Sequence, residues 1–251
     1  MNFTLMKYFI KKNWIIWAGL TAFMLFEFTL MILLMDIIAD TLNQMGGLFG
    51  EVTGENSLLF IASLFPMSAV LYPMIFFIFV IHKLMSKSIE TTSLAAFLTA
   101  GITRKQYIIT AGIFVALCLV ALFLTIFVVC GLALLMWGSF NWLAWLNLNV
   151  NFLLLNLAVA SICFFFSSVF AATKRGLALS IAVPLLLFVF FMISDFVSVF
   201  EYFTIYGWIN VERIALGTSN YWWVTMLAYS ALAIILSTIS VIIYKRKQLS
   251  I

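Results

Sequence analysis

Few residues in this sequence could carry out chemistry, and they are scattered. The single histidine, His82, cannot supply a zinc triad by itself, and Cys118, Cys130 and Cys163 lie in apolar runs, which favours small buried side chains over disulfides or metal ligands. The motifs HExxH, GxSxG and CxxC do not occur, and residues 50–57 resemble a phosphate-binding loop only faintly because they lack its lysine. We therefore expect no catalytic residue, no metal and no cofactor in this chain.

Four residues within the apolar runs could instead serve transport. Glu27 lies near the middle of the first run, where a charge costs roughly 2.5–3.5 kcal/mol in a bilayer. It must therefore face protein or water, be paired, or be protonated, and a structural hydrogen bond and a place on a substrate path are equally good interpretations. Pro66 and Pro73 in the second run and Pro184 in the fifth predict bent helices, which permit gating but also occur in static bundles.

The elements that carry these residues are set by composition. Of the 251 residues 66% are apolar and 9% charged, whereas a soluble domain has about a quarter charged residues. Lipid must therefore be the main solvent. A helix needs about 20 apolar residues to cross the hydrocarbon core, where its backbone groups must be satisfied internally. We predict a single all-α, polytopic membrane domain with six transmembrane helices at about residues 14–38, 58–82, 107–137, 152–172, 176–196 and 221–244.

The basic residues predict the orientation. All 13 lysines and arginines except Arg213 fall on one side of the predicted spans. The positive-inside rule then places both termini in the cytoplasm and the chain in the plasma membrane. The positive charge is spread along one membrane face, which argues against a nucleic-acid partner.

Two cytoplasmic segments have helical patterns. Residues 1–13 predict an amphipathic surface helix, because Phe3, Met6 and Ile10 share one face; a disordered basic tail is the alternative. Within residues 83–106, the repeat Leu94, Phe97, Leu98, Gly101 also has helical spacing, with Gly101 as a stop, and Thr103 and Gln106 form a capping box for the third span. The apolar face of this segment needs cover from lipid, its own domain or a partner.

On the outer side, residues 197–220 are unusually apolar for a loop. A re-entrant or interfacial helical pair fits them better than a solvated loop.

Several of these stretches together resemble the permease subunit of an ABC-2 type ATP-binding-cassette transporter. The residues in question are Glu90-Thr91-Thr92, the stretch 98–107 (LTAGITRKQY), the hairpin Ser167-Ser168 to Thr173-Lys174-Arg175-Gly176, the apolar outer segment, and the ending Tyr244-Lys245-Arg246-Lys247-Gln248-Leu249. Gln248 departs from the family ending, which has an acidic residue there. The resemblance spans the chain.

The resemblance implies a type V exporter-like half-transporter. Two permease chains, identical or paralogous, would assemble with two ATPase subunits, and those subunits would bind ATP and Mg²⁺. Residues 83–106 would contain the coupling helix, with ATPase contacts at Leu94, Phe97, Leu98, Arg104 and Lys105. The N-terminus would be the connecting helix. Spans 2 and 5 would line the dimer interface and substrate path, to which Glu27, Pro66, Pro73 and Pro184 are assigned.

The expected cargo follows from the same resemblance. Small six-helix members resemble Gram-positive exporters of antimicrobial or cytolytic peptides, including phenol-soluble modulins. The aromatic interior, with 27 phenylalanines, suits amphipathic peptides or lipid-like drugs. The alternative is a self-contained membrane protein, either a secondary carrier or an intramembrane enzyme, that needs no partner.

Overall fold

The computed structural model describes residues 2–35, 37, 40, 54–85, 87–90, 93–138, 140–170, 174–194, 196–218 and 222–246, and their regular structure is entirely helical. The α-helices are α1 Phe3–Leu33, α2 Gly54–Met85, α3 Lys87–Glu90, α4 Ser93–Thr99, α5 Arg104–Leu134, α6 Trp142–Val169, α7 Lys174–Ser194, α8 Val211–Ala215 and α9 Trp222–Arg246. Short 3-10 turns lie at Leu135–Trp137, Ser198–Phe203 and Tyr206–Trp208. Parts of the family-like motifs, Thr91-Thr92, Thr173 and residues 247–249, lie outside the described residues.

Six of these helices (α1, α2, α5, α6, α7 and α9) are long and apolar enough to cross a membrane. The prediction of an all-helical, multi-pass membrane protein with six spans is confirmed for the described residues. The largest boundary difference among the later helices is at α6, which begins at Trp142 rather than near residue 152. Asn141 explains it, because its side chain accepts from the backbone N–H groups of Leu143 and Ala144 and caps the helix there.

The bundle is organised around α6. In its most apolar window 67% of the residues are buried, against 22% in α1 and 11% in α9. It packs against α2, α5, α7 and α9, while α1 packs mainly on α5. The peripheral helices keep exposed apolar faces, which is expected where lipid is the solvent.

The N-terminal residues continue without interruption into the first long helix. Helix α1 runs without a break from Phe3, capped by Asn2, so no separate surface helix ends near residue 13. The buried stripe also differs from the predicted one: Phe3 is 77% exposed, whereas Leu5 and Phe9 are each 1% exposed. The reason is tertiary, since the Phe9 ring packs edge-on against Tyr107 of α5 at a centroid distance of 5.6 Å.

The segment between α7 and α9 folds back onto the bundle. It consists of two 3-10 turns and the five-residue α8 rather than a pair of full-length helices. Thr204 donates to the carbonyl of Leu187 in α7 (2.8 Å). Tyr206 is 2% exposed, and burial raises the pKa of its phenol, which stays neutral. Trp208 stacks on Tyr229 of α9, with ring centroids 5.6 Å apart. The segment is therefore a packed cap, and its position at the membrane's outer edge stays a prediction.

Candidate functional site

Helix α6 bonds a backbone group of α2 that Pro73 leaves without its helical partner. Pro73 has no backbone N–H, so the carbonyl of Ala69, four residues earlier, loses its helical donor. Asn156 of α6 replaces that donor, because its Nδ2 lies 2.9 Å from the Ala69 oxygen. Both Ala69 and Asn156 are at most 1% exposed, so water cannot serve instead. The freed backbone group is satisfied by a neighbouring helix, as an apolar environment requires.

The proline of α7 has a similar arrangement. Pro184 leaves the carbonyl of Ser180 without a helical donor, and the thiol of Cys163 in α6 lies 3.2 Å from that oxygen. The Ser180 hydroxyl donates to Gly176 (2.6 Å) and also lies 3.0 Å from the Ser167 hydroxyl. Near Pro184, helices α6 and α7 therefore meet in a small cluster of polar side chains inside the bundle.

One face of α6 therefore supplies donors to both proline-containing helices. Asn156 and Cys163 are two helical turns apart and share that face. From the sequence, Cys163 is expected to be only a small buried side chain, and no role is predicted for Asn156. An asparagine within an apolar span is a usable signal, because polar side chains there tend to bond between helices. The third proline, Pro66, is half-buried in α2.

Glu27 of α1 contacts the residues of α2 that lie next to Pro73 in the chain. Its Oε1 accepts from the Ser68 hydroxyl at 2.8 Å, and its Oε2 is buried without a hydrogen-bond partner among the described residues. The Tyr72 phenol interacts with the same carboxyl group. Ser68 and Tyr72 immediately precede Ala69 and Pro73 in the chain. The Glu27 side chain of α1 thus contacts the part of α2 around Pro73, and its Oε2 lies buried there without a close donor among the described residues.

At the other end of α2, the short helices α3 and α4 are clamped to the bundle. We call this end, where Lys12, Lys83, Arg104 and Lys245 lie, the basic end. The Tyr107 hydroxyl of α5 donates to the carbonyl of Leu84 in α2 at 2.7 Å. The Phe97 ring of α4 lies between Tyr8 of α1 (5.3 Å) and Tyr107 (5.9 Å). This aromatic clamp, Tyr8–Phe97–Tyr107, ties α4 to α1 and α5.

The turn after α4 has the predicted geometry. Gly101 has a φ of +82°, and Ile102 N–H donates to the carbonyl of Phe97 at 3.1 Å, which ends the helix. Thr103 accepts from Gln106 N–H, and the Gln106 side chain accepts from Thr103 N–H. The predicted stop and capping box are both confirmed, and they turn the chain sharply from α4 into α5.

The five residues assigned to ATPase contact have different exposures. Leu94 is 0% exposed and packs inward, whereas Phe97, Leu98 and Arg104 are half-buried and Lys105 is exposed. In this conformation the surface that α4 presents consists of Ala96, Thr99, Ala100 and Gly101, with Lys105 beside it. The docking role stays a prediction, but its accessible part is the turn rather than the apolar stripe.

No group of histidine, cysteine and acidic residues among the described positions could hold a metal ion, and the three thiols are free. Comparisons of the chain with protein-family models, curated proteins and solved structures gave no significant match. The features of the structure that bear on function are the prolines bonded by α6, the Glu27 contact and the basic end.

Proposed function

We propose that this chain is the membrane-spanning permease subunit of an ATP-driven ABC-2 type exporter. Two copies would assemble with two separate ATPase subunits that bind ATP and Mg²⁺. The basic end would face the cytoplasm, as the positive-inside rule expects. The observation that carries the proposal is the aromatic clamp, which joins a short surface helix to two spanning helices.

The clamp is suited to transmitting force. A push on α4 acts directly on α1 through Tyr8 and on α5 through Tyr107. Tyr107 in turn holds the end of α2 through Leu84, which lies roughly 16 Å along the helix from Pro73 at 1.5 Å per residue. A proline kink is a place where such a displacement can change the helix angle. The ATPase would therefore act on the part of α2 around Pro73, which contacts Glu27.

The cargo we propose is an amphipathic peptide, with lipid-like drugs as the related class. Support comes from the outer cap, where Phe196, Tyr202 and Phe203 are 89%, 84% and 63% exposed. Exposed aromatic side chains offer an apolar body with little conformational entropy to lose on binding. They are also suited to the membrane interface, where amphipathic peptides accumulate.

The test is co-purification with an ATPase encoded beside this gene, followed by measurement of ATP hydrolysis. We expect Ala100→Asp and Lys105→Glu, at the exposed turn, to reduce the amount of ATPase recovered severalfold. Lys11→Glu is the matched control, since it reverses an exposed charge at the basic end away from the turn. The proposal fails if no ATPase is recovered with the unaltered chain or if its hydrolysis rate is independent of the permease.

A partner-independent proton-coupled carrier is the second candidate, and the unused oxygen of Glu27 favours it. A carboxyl group that changes protonation could couple a proton gradient to substrate movement. Proteoliposomes containing this chain alone distinguish the two. Transport driven by a pH gradient without ATP, and lost in Glu27→Gln, would support the carrier and contradict the exporter.

A further inference from the structure

An open apolar groove lies between α5, α6 and α9 in the half of the bundle nearest the basic end. Its volume is about 410 Å³, far more than the water-sized voids of ordinary packing. Small side chains create it, among them Gly112 and Ala116 of α5, Ala160 of α6 and Ser237 of α9. All three helices are long and apolar enough to cross a membrane, so lipid can reach an open groove between them.

The groove has room that the protein itself does not use. A Cβ added at Gly112 would meet no atom within 4 Å, whereas one at Gly131, further along the same helix, would come within 2.8 Å of Trp142. The groove is therefore a local feature of α5 and not a general looseness of its packing.

The residues that line the groove favour an apolar ligand. Three of its four hydroxyls bond within their own helices: Ser161 to Ala158 (2.6 Å), Thr238 to Ile234 (2.7 Å) and Ser240 to Leu236 (2.7 Å). No described lining hydroxyl is left buried without a partner. A polar ligand would find little to bond inside the groove, while a hydrocarbon chain would lose nothing by entering it.

Positive charge stands at the end of the groove. Lys105 lies one helical turn before the lining residue Ile109, and Lys245 one turn after the lining residue Val241. The two helix ends meet there, because the Arg104 guanidinium is close enough to Tyr244 to interact with it electrostatically. Lys105 and Lys245 are both exposed, and neither forms an ion pair with another described residue.

We propose that this groove binds one anionic phospholipid, with an acyl chain between α5, α6 and α9 and the phosphate between Lys105 and Lys245. Basic pockets between spanning helices bind acidic head groups by the same combination of charge and apolar contact. A zwitterionic lipid would fill the groove equally well but would gain less from the lysines. The site shares Lys105 with the proposed ATPase contact, so its test uses the chain without an ATPase, and its outcome does not depend on the proposed function.

The test uses the full chain in nanodiscs that contain equal amounts of phosphatidylglycerol and phosphatidylcholine, with retained lipid counted by native mass spectrometry. We expect one retained phosphatidylglycerol per chain. In the Lys105→Gln/Lys245→Gln double variant its preference over phosphatidylcholine should fall on the order of tenfold, because each basic residue near the head group contributes to the attraction.

A second variant tests the groove itself. Gly112→Leu should fill it and reduce retention of both lipids, and Gly112→Ala should have a smaller effect. Gly19→Leu in α1 is the matched control, since its Cβ also meets nothing within 4 Å and it too replaces a helical glycine. Thermal unfolding of each variant verifies that the protein is folded.

Three results would overturn the proposal. One is equal retention of the two lipids by the unaltered chain. Another is loss of lipid in the lysine variant but not in Gly112→Leu, which would reduce the effect to surface attraction. The third is a change of oligomeric state without a change of lipid in Gly112→Leu, which would make a second copy of this chain the occupant.

Discussion

Asn156 donates to the carbonyl of Ala69, which is the backbone group that Pro73 leaves without a donor. The backbone of α2 at Pro73 is therefore bonded by α6 and not by α2 alone. The contribution of this single side-chain donor to stability can be measured.

We expect Asn156→Leu to destabilise the folded protein by about 1 kcal/mol, the usual scale for a hydrogen bond between spanning helices. In a Pro73→Ala background the loss should be smaller, because the restored N–H of residue 73 satisfies Ala69. Unfolding is measured in mixed micelles for the unaltered chain, the two single variants and the double variant. The comparison gives the coupling energy between positions 73 and 156. An equal loss of stability in both backgrounds would show that Asn156 does not stabilise the carbonyl that Pro73 leaves without a donor.

At Pro184 of α7, Cys163→Ser should retain the bond to the Ser180 carbonyl, while Cys163→Ala should lose it. Cys130→Ala is the matched control, since Cys130 is also buried and free. We expect Cys163→Ala to cost about 0.5–1 kcal/mol more than Cys130→Ala, the net worth of a hydrogen bond. Thermal unfolding of the purified variants measures the difference. Equal losses of stability in the two alanine variants would show that Cys163 contributes through packing only.

The aromatic clamp predicts a change in local stability. Tyr107→Phe keeps the ring contacts but removes the bond to Leu84, so α3 and α4 should open more often. Limited trypsin digestion should then cut faster at Lys83 or Lys87. Tyr8→Phe serves as control, because the Tyr8 hydroxyl only accepts from the exposed Lys12. Unchanged cleavage in Tyr107→Phe would mean that the rings alone hold the helices.

Glu27 can be assigned to structure or to transport by two variants. Glu27→Gln keeps the acceptor for Ser68, and Glu27→Leu removes an acceptor that is only half satisfied. We expect both to keep their stability within about 1 kcal/mol, since a hydrogen bond between spanning helices is worth about 0.6 kcal/mol on average. If Glu27 lines the substrate path, transport should nevertheless fall in Glu27→Leu. A large loss of stability would instead make it a structural residue.

The orientation is testable with two exposed positions at opposite ends. In intact cells a membrane-impermeant maleimide should label Leu216→Cys, which follows α8, and should label Thr99→Cys only after the membrane is broken. The unaltered chain is the control for its native thiols. Labelling in the reverse order would place the basic end outside and would remove the cytoplasmic docking site from the proposed exporter.

The sequence by itself determined that lipid is the main solvent of this chain and that six of its segments are long and apolar enough to span a membrane. Runs of about 20 apolar residues must be helical in lipid, because each backbone group has to bond within its own segment, and this constraint is local. The Gly101 stop and the Thr103–Gln106 capping box are local too, since both depend on residues within one turn, and the structure has both. The side on which the lysines and arginines lie also predicts an orientation without any knowledge of packing.

Only the tertiary structure decided which faces are buried and which polar groups meet. Residues 3–10 have more than one plausible apolar stripe, and the choice of Leu5 and Phe9 was made by the rings of α5. Leu94 followed the predicted helical spacing, yet it packs inward and leaves the following turn exposed. Asn156 and Cys163 gained their roles because distant prolines freed carbonyls directly opposite them. Such pairings depend on the register between helices, which no single segment of sequence contains.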